Sequence, residues 1–176
     1  PKRLLEGFKG YLQTDGYDGY NAVVAVNGLT HVGCMAHARR KFSEALKAQG
    51  KKKQRGKAHR GLTLIQKLYQ VEKQARKFTH EERYRHRLQH ARPVLDEIRA
   101  WLDDTLPQLP PASTTGKALN YLHNEWDKLI HYLDDGRLEI DNNGAENAIR
   151  PFVLGRNYVH SAIMESCAGF ACQIHI

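Results

Sequence analysis

Apolar and polar positions follow two different rhythms along this chain. At the start the rhythm is short. Tyr11 to Thr14 reads as a strand with Leu12 turned inward, and Gly16 and Gly19 break it. Asn21 to Val26 fits two patterns. Its valines favour a strand closed by an Asn27-Gly28 hairpin turn, and the same residues fit a short helix that Gly28 ends. Leu29 to Gly33 is a second strand candidate. From Met35 the rhythm lengthens. Met35 to Ala48 reads as a helix, with Ala38, Phe42, Ala45 and Leu46 on one side and Arg39, Arg40, Lys41 and Lys47 mostly elsewhere. Leu62, Ile65, Leu68 and Tyr69 mark another apolar stripe.

Tyr84, Leu88, Ala91, Leu95, Ile98 and Leu102 step by 4, 3, 4, 3 and 4, the seam of a packed helix, and Pro93 starts or kinks a helix within it. The Pro-rich run "LPQLPPAST", Leu106 to Thr114, stops this stretch. Ala118, Leu122, Trp126, Leu129 and Leu133 form a further helical face, and Asp134-Asp135-Gly136 closes it with a turn. The pattern predicts a mostly helical α/β chain. A strand-containing start (1–48) is followed by a helical block (49–135) and a return segment (136–176).

Composition narrows the class. The chain has 176 residues, 41% hydrophobic and 26% charged, which suits one soluble domain with a sizeable core. No apolar run is long enough to span a membrane, and no basic start leads into an apolar signal core. Cys34, Cys167 and Cys172 are too few and too unevenly spaced for a disulfide framework, so a reducing cytoplasm is the simplest setting. The net charge of +8 leans toward a polyanionic partner. Much of the excess lies in "KAQGKKKQRGKAHR", Lys47 to Arg60, which contains no acid. That stretch fits a solvated loop and equally an arm on a nucleic-acid backbone, through Lys51, Lys52 and Lys53.

Two acidic positions stand out. Asp15 follows a strand candidate and precedes a glycine in "YLQTDGYDGY". Glu146 lies in "LEIDNNGAENAIRPF", three positions after Asn143, which has the form of a reciprocal helix cap. Ala145, Ala148, Ile149 and Phe152 would share one face, leaving Glu146 one turn ahead of Arg150. One reading makes Glu146 a cap residue paired with Arg150. The other joins Asp15 and Glu146 at a magnesium site, since that ion takes oxygen ligands and needs only one or two carboxylates. Arg150 and Arg156 could then hold phosphate oxygens. Cys34 and His37 form a Cys-x-x-His pair with no second pair to complete a zinc site. A buried Cys34 and a His37 hydrogen-bonded near a helix start is the favoured reading, ahead of a Cys-His nucleophile pair. The rings of Tyr17 and Tyr20 are read as packing rather than base stacking.

Three blocks carry a family resemblance. "LQTDGYDGY", "GCMAHARRKF" and "DGRLEIDNNGAENAIRPFVLGRN" resemble, in order, signature blocks of the bacterial insertion-sequence transposases of the sixty-six type. These are DDE transposases with an RNase H-like catalytic core. The resemblance covers about Leu4 to Asn157. It implies a partial RNase H-like core with few strands, interrupted by a large all-helical insertion at 49–135. It also implies that Asp15 is the second Asp of a metal-binding triad and Glu146 its Glu, with Mg2+ (or Mn2+) as cofactor. The implied chemistry is hydrolysis of a DNA phosphodiester and transfer of the freed 3′-hydroxyl to target DNA. Arg39, Arg40, Lys41 and Arg150 become candidates for DNA backbone contacts, as do Arg156 and the 47–60 stretch. An incomplete core would also favour self-association through an open sheet edge.

This sequence departs from the family pattern in three places. No Asp precedes Asp15, so the triad's first member is missing and the chain alone is expected to be inactive. Asn147 follows Glu146 where the family carries Arg. After Asn157 the similarity is expected to fade into a divergent, frameshift-like tail. The competing class is a non-enzymatic, basic helical module that binds DNA or protein.

Overall fold

The computed structural model describes residues 8–15, 18–49, 56–148 and 173–175. Strand β1 is Tyr11–Gln13, and α1, Asn21–Asn27, carries the chain over to β2, Thr30–Val32. The two strands pair in parallel, with Tyr11 opposite Thr30 and Gln13 opposite Val32. β3, Gln173–His175, adds antiparallel to the other edge of β1, giving the order β2-β1-β3.

The ambiguous 21–26 stretch is therefore helix, not hairpin. Gly28 decides it. It adopts the left-handed conformation, φ 63° and ψ 38°, and its N–H donates to the Val24 carbonyl. Leu29 N–H donates to the same carbonyl at 3.0 Å, so the helix is closed and the chain leaves in line for a parallel strand.

β1 alternates between two interiors, as the strand period requires. Leu12 is fully buried, in a small cluster with Tyr20 and Leu29 beneath α1. Tyr20 is thus a packing ring, as expected, whereas Tyr17 lies outside the described residues. Tyr11, on the opposite face, packs against the main core.

The helical block starts with α2, Met35–Ala48, whose bounds match the expected ones. Met35, Ala38, Phe42 and Ala45 are its buried face. It packs against α3, Lys57–Gln74, and α6, Thr114–Asn124. Between those two come α4, His80–His90, and α5, Arg92–Thr105. α7, Trp126–Ile130, and a 3-10 turn to Leu133 complete the block.

The seam expected from Tyr84 to Leu102 is two helices. Pro93 stands in the first turn of α5, where its missing N–H costs nothing. The break shifts the helical phase. Ala91, Leu95, Ile98 and Leu102 are buried as expected, but Leu88 is 43% exposed and Arg87 is buried in its place. One hydrophobic cluster unites α2, α3, α5, α6 and α7 with Leu138 and Ile140 of the return segment. Among the described residues no helix is long and apolar enough to cross a membrane.

Candidate functional site

Asp15 sits where β1 ends. Thr14 N–H still donates to the Val32 carbonyl at 3.0 Å, so the ladder holds the backbone up to the residue before it. The Thr14 hydroxyl lies 2.7 Å from Nε2 of His31, on the neighbouring strand. His31 is 7% exposed, and burial first, then the charge of Lys128, lowers its pKa to about 4. It is therefore a neutral imidazole at physiological pH. Asp15 is half-buried, and its backbone carbonyl accepts from the Tyr121 hydroxyl of α6 at 3.3 Å. Burial first, then the charge of Glu125, pushes the Tyr121 phenol above its usual range, so it stays a donor.

The return segment docks against the same strand. Gln13 is fully buried, and its Nε2 donates to the Glu139 carbonyl at 2.8 Å and to the Gly33 carbonyl at 3.2 Å. Met35 N–H donates to the Ile140 carbonyl at 3.0 Å. Arg83 of α4 reaches the Glu139 carboxylate at 3.0 Å. Asp141 lies just ahead of α8, the helix over 143–148. One of its oxygens accepts from the Tyr69 hydroxyl at 2.8 Å and the other from Asn143 N–H at 3.1 Å.

This corrects the expected cap. Asn143 is already inside the helix, and Glu146 N–H donates to the Asn142 carbonyl at 3.0 Å as an ordinary helical bond. The full reciprocal cap lies elsewhere, between Thr79 and Glu82 at the start of α4. Glu146 is half-buried. Ile149, Arg150 and Phe152 lie outside the described residues, so the expected Glu146–Arg150 pair does too.

The basic candidates on α2 are all exposed. Arg39 lies over the Tyr69 ring at 5.2 Å, and Lys41 over the Tyr121 ring at 5.8 Å. These two tyrosines are the same ones that hold Asp141 and the Asp15 backbone. Arg40 is close enough to Tyr121 to oppose the rise in its pKa. Lys51, Lys52, Lys53 and Arg156 lie outside the described residues.

Cys34 is buried and its thiol is pushed up by that burial, which suits a small apolar residue and not a nucleophile. His37 stands in the first turn of α2 and its N–H donates to the Cys34 carbonyl at 3.1 Å, while its Nδ1 is buried without a hydrogen-bond partner. Among the described residues no group of three His, Cys, Asp or Glu side chains is placed to hold a metal ion. Tyr69, Tyr121, Gln13 and Asp141 were not singled out by sequence reasoning. Only Asp141 had a signal, its place inside the "LEIDNNGAEN" block.

Residues 1–168 match a family model described as Transposase IS66 family. The match runs beyond Asn157, where the similarity was expected to fade. The chain is 33% identical over 168 residues to the uncharacterized protein y4hP of Sinorhizobium fredii, covering 89% of this chain and 30% of that protein. It is 31% identical to the uncharacterized protein y4jD of the same organism, covering 88% of this chain and 31% of that protein. The chain therefore spans about a third of the length of these relatives. No solved structure matches it.

Proposed function

From the premise that the chain belongs to the IS66 transposase family, we propose that it forms part of the catalytic core that cuts and joins DNA ends. In this reading β1, α1 and β2 are part of an RNase H-like sheet, and Asp15 and Glu146 are its metal-binding carboxylates. The supporting observation is the docking of the return segment on the Asp15 strand, through Gln13 to Glu139 at 2.8 Å and Met35 to Ile140 at 3.0 Å. That docking ties the start of α8 to the sheet that ends in Asp15.

The donor set fits Mg2+ or Mn2+. Two half-buried carboxylates offer hard oxygen ligands, and the His31 imidazole, on the neighbouring strand, is neutral and engaged with Thr14. A divalent ion bound there supplies Lewis acidity for in-line displacement at phosphorus. The protein's own part is positional. Thr14, Gln13 and Tyr121 fix the backbone around Asp15, and Tyr69 fixes the helix carrying Glu146. Arg39, Arg40 and Lys41 offer cations to the phosphate backbone beside them, giving contacts that are salt-dependent and sequence-neutral.

The test is Mn2+ binding followed by electron paramagnetic resonance. Asp15→Asn and Glu146→Gln should each weaken binding at least tenfold. Unchanged affinity in both variants would leave the chain a basic helical module without metal chemistry.

A further inference from the structure

α4 carries two histidines one turn apart, His86 and His90, in the order H-R-L-Q-H. Side chains at this spacing share one helix face. Their ring centroids are 4.4 Å apart, with 48° between the planes. Nε2 of His86 is buried with no hydrogen-bond partner.

The His86 ring is held in place. Phe78 meets it edge-on, with centroids 5.2 Å apart and 83° between the planes. His90 is exposed and free to change rotamer. Both oxygens of Glu72, whose charge reaches His86, are bonded by Arg87 at 2.9 and 2.7 Å, so the ligands at hand are the two imidazoles. A buried ring nitrogen left without a partner is a standing cost that a ligand would remove.

We propose that His86 and His90 form a two-nitrogen site on α4 for a borderline divalent transition metal such as Zn2+, Ni2+ or Cu2+, with the remaining positions left to water or to groups outside this helix. Metal enters when the exposed His90 ring turns to face the same ion as Nε2 of His86. Imidazole pairs select these ions over Mg2+, so the site is separate in chemistry from the Asp15 and Glu146 carboxylates. It holds or fails regardless of the catalytic reading.

The experiment is calorimetric titration of the 176-residue chain with Ni2+, with Co2+ and with Zn2+, in excess Mg2+. One ion should bind per chain, tighter for Ni2+ than for Co2+ as the usual order of affinities requires. His86→Gln and His90→Gln should each weaken binding at least tenfold, while His123→Gln, on α6, leaves it unchanged. Zn2+ should also raise the melting temperature of the parent chain but not that of His90→Gln, which changes only an exposed ring and so keeps the fold. Absence of stoichiometric binding would overturn the proposal. So would full affinity in either His86→Gln or His90→Gln.

Discussion

Replacing Glu72 with Ala strands a cation in the protein interior. Arg87 is fully buried. Its Nε and Nη2 donate to the two Glu72 oxygens at 2.9 and 2.7 Å, and Nη1 donates to the carbonyls of Tyr132 and Asp135 at 2.9 and 3.1 Å. The guanidinium also lies 5.0 Å from the centre of the Tyr132 ring. It cannot escape by losing its proton, because arginine stays charged at any pH a folded protein tolerates. Removing one partner of such a pair costs about 3–5 kcal/mol, far more than the 0–1 kcal/mol typical of an exposed pair. For a chain of this size that lowers the melting temperature by roughly 6–20 °C. Glu72→Gln keeps an acceptor in place and should cost less. Replacing both partners, Glu72→Leu with Arg87→Met, removes the two charges together and should cost much less than the sum of the single changes. Urea and thermal unfolding followed by circular dichroism would measure all four chains. A loss below about 1 kcal/mol for Glu72→Ala would refute the reasoning, since it is what a solvated pair gives. The pair also bears on the candidate site, because Tyr132 and Asp135 lie at the turn from which the return segment departs.

Two further changes test the packing around the site. His31 is buried with its pKa lowered from 6.5 to about 4, so on acidification the unfolded chain binds a proton that the folded chain refuses. Stability from this residue is complete above about pH 6.5 and declines toward pH 4, by about 2 kcal/mol between pH 7 and 5. His31→Gln should flatten that part of the stability profile, and an unchanged slope would show that His31 is not the titrating group. Gly61 is helical, and propensity alone favours Ala there by about 1 kcal/mol. A Cβ would lie 2.6 Å from the Phe42 ring and 2.8 Å from Trp101, so overpacking of about 1–3 kcal/mol should win and Gly61→Ala should unfold at lower urea; a rise in stability would refute this.

What could be read from the chain was local. The bounds of α2 follow from a 3.6-residue stripe, and its four exposed cations, Arg39, Arg40, Lys41 and Lys47, follow from the same pattern. Gly28 and Pro93 marked the ends of elements because their backbone limits do not depend on neighbours. The block around Asp141 to Glu146 was recognisable as a motif, though not in how its helix begins. Tyr69, from a helix seventy-two positions earlier, holds the same Asp141 carboxylate that accepts from Asn143 N–H in the first turn.

The sequence by itself determined the helical rhythm, the basic character and the family blocks, because each is written in neighbouring residues. Only the tertiary structure decided what met across the chain. It chose helix over hairpin at 21–27, where apolar residues served either pattern and the parallel partner at 30–32 required a crossover. It buried Arg87 in place of Leu88, because a phase shift at α5 and the Glu72 carboxylate of another helix outweighed hydrophobicity. It also set Gln13, Tyr69 and Tyr121 as the links among Asp15, the return segment and the helical block. Such links depend on hydrogen-bond partners far apart in the chain, and no local pattern specifies a partner at a distance.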